Sequence, residues 1–253
     1  MIEQQTELLA WDFAFTHDVA ASRPDMVIVL GGDGTILRAA RHMGDQQIPA
    51  LGVNLGRLGF LADIASEELE QALQVVRAGR ASVVEHLMFE CQVLRQGEPF
   101  ITLLGLNEAA VLAGGSFRML EVQLYVDAEL VTTYSCDGLI VSTPVGSTAH
   151  SLSAGGPILR KDLQAFVILP ISPHTLTNRP VVDSAECVYE LVVERPHPGT
   201  SLVVDGRKVC ELIVGDRVRL ARAPSRFKLI EVPGHSYYRT LREKLGWGGQ
   251  LFH

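Results

Sequence analysis

A short apolar run that stops abruptly at a glycine-rich loop constrains the fold of this chain most. The run Met26–Leu30 is unbroken and mostly β-branched, which is the pattern of a strand buried on both faces of a parallel sheet. The loop Gly31–Thr35 follows at once with the sequence Gly-Gly-Asp-Gly-Thr, and apolar residues then return at helical spacing from Ile36. The pattern predicts a strand, a tight loop and a helix in succession.

The segment that follows repeats this alternation. Pro49–Val53 predicts a second short strand, which leads into a glycine-punctuated loop at Asn54–Phe60. Residues 66–78 carry apolar side chains on one helical face, with Ser66 suited to the N-cap and Gly79 suited to end the helix. The first third of the chain is therefore expected to be an α/β domain with a parallel sheet.

Beyond Arg80 the chain changes to short alternating or β-branched runs separated by turn residues. The runs are Phe89–Leu94, Phe100–Leu104, Val122–Val126, Leu139–Ser142, Val188–Val193, Ser201–Val204 and Val218–Ala221. Many short strands with polar turns are typical of an antiparallel sandwich. Helical spacing returns at Ser236–Leu245, and we expect this C-terminal helix to pack back on the first domain.

These patterns predict two domains. Residues 1–84, joined by residues 236–253, form the α/β domain that carries the glycine-aspartate loop, and residues 85–235 form a β-rich, sandwich-like domain. Two domains in close contact create a cleft, which is where small ligands usually bind.

Charge and cysteine content exclude several classes of function. The 22 basic and 29 acidic residues give a net charge of -7, so we expect no nucleic-acid or anionic-membrane partner held by a global basic field. No apolar run reaches the roughly 18 residues of a membrane helix, and the N-terminus lacks the layout of a signal peptide. The chain is therefore expected to be cytoplasmic. The four scattered cysteines indicate free thiols, with neither a zinc site nor a disulfide framework.

The Gly31–Thr35 loop carries the sharpest chemical signal. Small residues between a buried strand and a helix let a phosphate approach bare peptide N–H groups at the positive end of the helix. A carboxylate at Asp33 would repel phosphates unless it holds a metal or accepts a proton, which favours catalysis over simple anion capture. The alternative is a tight turn in which Asp33 caps its own helix. The loop lacks the lysine of GxxxxGK[ST] and does not complete GxGxxG.

Two further clusters could bind a polar ligand. The stretch Asp137–Pro157 is dense in glycine and small hydroxyl residues, which permits close approach by a planar ligand; the alternative is a plain connection between strands. The pair Asn107-Glu108 lies in an apolar frame and needs polar partners, because an unsatisfied buried group costs on the order of 1 to 3 kcal/mol. Ribose hydroxyls or a carboxamide would serve, and the alternative is a pair that satisfies the backbone at a strand end.

Together these residues closely resemble the NAD kinase family, whose members phosphorylate the adenosine-ribose 2'-hydroxyl of NAD to make NADP. The resemblance runs from about Asp25 to Phe252. The matching motifs are residues 31–35, 54–60, 106–108, 137–157, 173–176, 179–180 and 244–247. The glycine-aspartate loop alone is shared with lipid kinases and phosphofructokinases, whereas the ordered set is specific.

The resemblance implies an active site between an N-terminal α/β domain and a C-terminal β-rich domain, completed by a neighbouring subunit of a homo-oligomer, either a dimer or a tetramer. Asp33 matches the catalytic aspartate, which is proposed to take the proton from the 2'-hydroxyl, and Phe60 resembles the residue that packs on the adenine. The phosphate-donor positions are Gly31, Gly32, Gly34 and Thr35. The NAD-contacting positions are Gly34, Arg38, Phe60, Asn107, Glu108, Arg118, Ser135, Asp137, Thr148, Ala149, His150, Ser153, Ser172 and Arg207.

The resemblance also implies ATP as the phosphate donor with Mg²⁺ or another divalent cation, and some family members also use polyphosphate. No residue of the chain is assigned as a metal ligand. Three positions depart from the family pattern: His150 replaces a tyrosine, Ser135 a frequent basic residue, and Arg207 a common glutamine. The short N-terminus also lacks a clear apolar strand before Met26. These departures motivate one alternative, a non-catalytic NAD(P)-binding sensor, and the shared loop motivates another, a lipid kinase.

Overall fold

The computed structural model describes residues 24–115, 119–175 and 178–247, which form two β-sheets and four α-helices. The helices are α1 (Asp33–Met43), α2 (Leu69–Arg77), α3 (His150–Ser153) and α4 (Tyr237–Leu245). In chain order the strands are β1 (Val27–Leu30), β2 (Ala50–Asn54), β3 (Ile64–Ala65), β4 (Ser82–Arg95), β5 (Glu98–Gly105), β6 (Glu108–Leu112), β7 (Leu120–Val126), β8 (Glu129–Cys136), β9 (Gly138–Ser142), β10 (Ala165–Ile171), β11 (Val181–Ser184), β12 (Tyr189–Val193), β13 (Ser201–Val204), β14 (Arg207–Glu211) and β15 (Arg217–Glu231).

The larger sheet is mixed and joins the two halves of the chain. Its main order is β1-β2-β15-β12-β7-β8, with β3 beside β2, β4 beside β15, and β5 beside β4. Strands β1, β2 and β3 are parallel, which confirms the predicted parallel arrangement. Strand β15 pairs in parallel with β2 through Leu229 and Ala50, and in antiparallel fashion with β4 and β12. One long strand therefore belongs to both the α/β part and the β-rich part.

The smaller sheet is antiparallel, in the order β11-β10-β9-β6-β13-β14, and it packs on the larger one. Their shared core contains Phe89 and Tyr189 from the larger sheet with Phe166 and Leu139 from the smaller. The Phe166 and Tyr189 rings meet edge to face with centroids 5.6 Å apart. This core confirms the predicted sandwich.

Helices cover both faces of the α/β part. On one face the side chain of Ile36 in α1 is fully buried. On the other face Leu51 and Ala72 pack with Ile230 and Val232 from the end of β15 and the residues after it. Burial of apolar surface on both sides explains why β2 carries no polar alternation. The prediction that the Met26–Leu30 strand is buried on both faces is wrong: β1 ends the described sheet, and its Ile28 and Leu30 side chains are exposed.

Three strands that the sequence did not predict lie at sheet edges. Strand β8 ends the larger sheet, and β11 and β14 are the two ends of the smaller one. Edge strands keep exposed and charged residues, so the apolar alternation that marks a strand is weak there. The predicted helix start at Ser66 also differs, since Ser66–Glu68 is a 3-10 turn and the α-helix begins at Leu69.

The structure bears on two predictions, one about membrane helices and one about the cysteines. Across residues 24–115, 119–175 and 178–247, every helix is too short or too polar to cross a bilayer. All four cysteines are free thiols, with Cys91 and Cys136 buried and Cys187 and Cys210 partly buried.

Candidate active site

The glycine-aspartate loop joins β1 to α1 as predicted. Gly32 is the N-cap of α1, and no side chain caps the helix there. Gly31 has φ of +142°, and a Cβ at this position would overlap the Thr35 hydroxyl. Glycine is therefore required at this bend, which leaves bare peptide groups at the positive end of α1.

The Asp33 carboxylate binds a different segment, residues 58–62, which we call the Phe60 loop. Its Oδ2 accepts a hydrogen bond from the Phe60 N–H at 2.8 Å, and its Oδ1 accepts from Leu61 N–H at 2.9 Å and Ala62 N–H at 3.1 Å. The alternative in which Asp33 caps its own helix is thus wrong. A carboxylate has about four acceptor positions, so one position on Oδ2 stays open to another donor.

The Phe60 loop packs tightly against that carboxylate. Gly59 donates its N–H to the Ala62 carbonyl at 2.9 Å, and a Cβ on Gly59 would collide with the Asp33 Oδ1 atom. Lys244 of α4 donates to the Leu58 carbonyl at 2.6 Å and lies 4.6 Å from the Phe60 ring centroid. The contact confirms that the C-terminal helix returns to the first part of the chain.

An open cleft of about 780 Å³ adjoins the loop. Its lining residues are Gly32, Gly34, Thr35, Leu37, Arg38, Arg41, Asp205 and Arg207. The pKa of Arg41 is lowered mainly by burial and secondly by the nearby Arg207, while Asp205 opposes this shift. In a chain of net charge -7, this concentration of guanidinium groups makes a local site for an anion.

Arg41 is a lining residue that the sequence analysis missed. It lies on α1 three residues after Arg38, and residues at that spacing share a helix face. The signal was therefore available once the helix after Thr35 was predicted.

Asp205 organises the Asn107-Glu108 pair. Its Oδ1 accepts a hydrogen bond from the Asn107 N–H at 2.7 Å, and its Oδ2 accepts from the Leu106 N–H at 3.0 Å. Glu108 is 4% exposed, and its Oε2 has no hydrogen-bond partner within the described parts of the chain. Burial and the nearby Asp205 raise the pKa of Glu108 to about 7, opposed by the His150 N–H. The buried carboxyl group is thus short of hydrogen-bond partners.

The glycine- and serine-rich loop packs against the same pair. The Thr143 hydroxyl donates to the Leu106 carbonyl at 2.6 Å, and Gly146 lies so close to the Asn107 carbonyl that a Cβ would collide with it. Thr148, Ala149 and His150 follow this contact and lead into α3. The structure therefore gathers part of the predicted set beside Glu108, while Ser153 is exposed at the end of α3.

Other predicted residues gather at the opposite end of the smaller sheet. Strands β6 and β9 pair Glu108 with Ser142 and Leu112 with Gly138, so Asp137 lies about 17 Å from Glu108 along the strands, at roughly 3.3 Å per residue. Ser135 accepts a backbone hydrogen bond from His174, and Asp137 donates one to Ile171, the neighbour of Ser172. One chain thus does not bring Ser135, Asp137 and Ser172 to the Glu108 site. Arg118 lies outside the described residues.

Replacing Glu108 with glutamine should change stability in a pH-dependent way. Because the pKa of about 7 in the folded chain exceeds the unfolded value of 4.5, this carboxyl favours folding below about pH 4.5 and loses that contribution as pH rises through 7. We expect Glu108→Gln to be more stable than the parent at pH 8, by on the order of 3 kcal/mol, with the gain shrinking towards pH 4.5. Urea unfolding at pH 5 and pH 8 measures the difference. The exposed Glu129→Gln is the control, and an equal effect at both pH values would contradict the argument.

Comparison with known proteins identifies the family. Residues 11–81 match the ATP-NAD kinase N-terminal domain, and residues 106–232 match the ATP-NAD kinase C-terminal domain. The NAD kinase of Rhodopirellula baltica is 56% identical over 250 residues, covering 99% of this chain and 80% of that protein. The NAD kinase of an Azoarcus species is 43% identical over 232 residues, covering 92% of this chain and 79% of that protein.

Solved structures agree with these sequence relatives. The crystal structure of yeast NADH kinase complexed with NADH matches with a TM-score of 0.84 and 29% identity, covering 90% of this chain and 68% of that chain. An NAD kinase from Archaeoglobus fulgidus in complex with ATP matches with a TM-score of 0.75 and 30% identity, covering 90% of this chain and 85% of that chain. With this identity and coverage along its length, the chain belongs to the NAD kinase family of enzymes.

Proposed function

We propose that this chain transfers the terminal phosphoryl group of ATP to the adenosine-ribose 2'-hydroxyl of NAD, which yields NADP and ADP. The observation that carries the proposal is the placement of Asp33 between two surfaces. Its neighbours Gly32 and Gly34 line the arginine-rich cleft, while its carboxylate faces the Phe60 loop. The relatives that bind NADH and ATP support the same pair of substrates.

The donor phosphates occupy the cleft in this proposal. The space is lined by Gly32, Gly34 and Thr35 of the loop and by Arg38, Arg41 and Arg207. Phosphoryl transfer depends mainly on positioning and on neutralising charge, and these groups supply both. Arg38 and Arg207, predicted as NAD contacts, are better placed for the donor phosphates because they line the cleft together with Arg41.

The acceptor approaches from the side of the Phe60 loop. The adenine packs on the Phe60 ring. The open position on Asp33 Oδ2 accepts the proton of the 2'-hydroxyl while the hydroxyl oxygen forms a bond to the terminal phosphorus of ATP. The bond between that phosphorus and ADP breaks in the same step. Asn107 and Glu108, with Thr148, Ala149, His150 and Ser153, hold the rest of the dinucleotide. The His150 N–H beside the Glu108 carboxyl group supports this assignment because it brings two of the predicted segments together.

The fit of a divalent cation can be tested on the residues present. The described ranges contain no cluster of three or more histidine, cysteine, aspartate or glutamate side chains that could hold a metal, and peptide N–H groups engage the carboxylates of Asp33 and Asp205. The described residues therefore do not form a magnesium site of their own. Mg²⁺ commonly binds through substrate phosphates and few carboxylates, and its requirement here stays a prediction.

A second copy of the chain accounts for the residues at the far end of the smaller sheet. Ser135, Asp137 and Ser172 lie together but away from Glu108, so we propose that they reach the dinucleotide bound by a neighbouring subunit. This arrangement requires a homo-oligomer. The dimeric or tetrameric state, the cytoplasmic location and the boundaries at residues 84 and 236 stay predictions.

One assay tests the proposed function. The purified chain is incubated with NAD, ATP and Mg²⁺, and NADP is measured with an NADP-specific enzyme while each component is omitted in turn. We expect NADP that depends on all three. NAD binding without NADP would favour the sensor, phosphorylation of a lipid instead of NAD would favour the lipid kinase, and replacement of ATP by polyphosphate would define the donor.

A further inference from the structure

A lysine distant in sequence binds the same peptide unit that holds Asp33. Lys161 lies between α3 and β10, and its Nζ donates to the Phe60 carbonyl at 2.6 Å. That carbonyl and the Leu61 N–H belong to one planar peptide unit, and the Leu61 N–H donates to Asp33 Oδ1 at 2.9 Å. Lys161 and Asp33 therefore contact opposite ends of a single rigid group.

The charge around Lys161 explains why the ammonium group can be buried there. Burial lowers its pKa, and the carboxylates of Asp63, Glu231 and Asp33 oppose this effect. Burial in turn raises the pKa of Asp63 and of Glu231, and Lys161 opposes both of those shifts. The hydrogen bond of the ammonium, however, goes to a peptide carbonyl. A charged donor of this kind makes a stronger hydrogen bond than a neutral one.

Neighbouring contacts fix the position of the lysine. Its ammonium lies 5.3 Å from the centroid of the Tyr237 ring in α4. The Tyr237 hydroxyl donates to the Leu159 carbonyl at 2.7 Å, which ties the helix to the segment that carries Lys161. The lysine thus reaches the Phe60 loop from a supported backbone.

We propose that Lys161 is a positioning residue for phosphoryl transfer: by holding the Phe60 carbonyl, it orients the peptide N–H groups that aim the Asp33 carboxylate at the acceptor hydroxyl. The inference rests on the proposed role of Asp33. It extends that role to a residue that touches neither substrate and acts through the loop.

Lys161→Gln tests the inference because glutamine keeps a donor but loses the cation. We expect kcat to fall about 10- to 100-fold, since small displacements of a catalytic group have effects of this size, with the KM for ATP changed less than about twofold. Lys161→Arg should recover most of the lost kcat. Lys228→Gln, on β15 and outside the loop and cleft, is the matched control and should keep the parental kcat. Lys161→Met replaces the glutamine variant if that one fails to fold.

A double-mutant cycle separates positioning from a general structural effect. If Lys161 acts through Asp33, adding Lys161→Gln to Asp33→Asn should lower kcat by less than about a further twofold. An equal loss in both backgrounds, or a lower melting temperature with unchanged kcat, would overturn the inference. Full turnover in Asp33→Asn would overturn both the proposed base and this inference, whereas full turnover in Lys161→Gln alone would overturn only the inference.

Discussion

Asp33→Asn should bind NAD about as well as the parent chain and turn it over about 10² to 10⁴ times more slowly, the usual contribution of a general base. An amide keeps the size of the side chain and can still accept from part of the Phe60 loop. It cannot accept a proton at neutral pH, and its NH₂ group faces a peptide N–H where the carboxylate had an acceptor. Calorimetry with NAD and initial-rate measurement of NADP provide the two readouts.

Asp45→Asn is the control for this substitution. Asp45 is exposed just beyond the end of α1 and outside the lining of the cleft, so its amide variant should keep the parental rate. Full activity in Asp33→Asn would refute the role of Asp33 as the base. Loss of NAD binding together with turnover would instead assign Asp33 to substrate binding.

Gly59→Ala should impair turnover to a similar degree through a purely steric effect. The added methyl group would collide with Asp33 Oδ1 and come within 3.0 Å of the Ala62 carbonyl, so either the carboxylate or the loop must move. A displacement near 1 Å at a reacting group commonly lowers the rate about 10²-fold. The expected result is a lower kcat with a small change in melting temperature, measured by the NADP assay and by thermal unfolding.

Gly56→Ala is a matched control three residues before Gly59, just outside the Phe60 loop. A Cβ at Gly56 meets no atom within 4 Å, so this variant carries the same chemical change without the collision. It should keep the parental rate. Equal losses in the two variants would show that the segment tolerates no side chain and would contradict the specific clash with Asp33.

Local sequence pattern predicted where β1, the glycine loop and α1 lie, but not the burial of β1, in which Ile28 is 41% and Leu30 is 45% exposed. The apolar run at Met26–Leu30 and the return of helical spacing at Ile36 were sufficient to predict the strand, the loop and the helix that follows. For the long strand β15, the pattern indicated only Val218–Ala221. Pro224 and a register shift between Arg222 and Arg226 interrupt its ladder, and proline cannot donate to a strand pair. The pairing of β15 with β2 is a long-range contact that no local pattern encodes.

The sequence predicted several residues of the candidate site but not their contacts, and it missed Arg41 and Asp205 in the lining of the cleft. Asp33 was singled out from its glycine loop, yet its hydrogen-bond donors lie 27 to 29 residues away, so only the fold reveals them. The separation of Asp137 from Glu108 follows from the antiparallel register of β6 and β9. Lys161 carries no motif, because its role depends on a carbonyl supplied by another part of the chain.

The placement of β15 also affects how a nascent chain acquires its shape on the ribosome. The apolar faces of β2 and α2 pack against Ile230 and Val232, which emerge long after Leu51 and Val53. At translation rates of about 5 to 20 residues per second, the apolar faces of β2 and α2 stay unpacked for roughly 10 to 35 s before Ile230 and Val232 are synthesised. During that interval the amino-terminal third exposes apolar surface that a chaperone can cover. The native fold forms only near the end of synthesis.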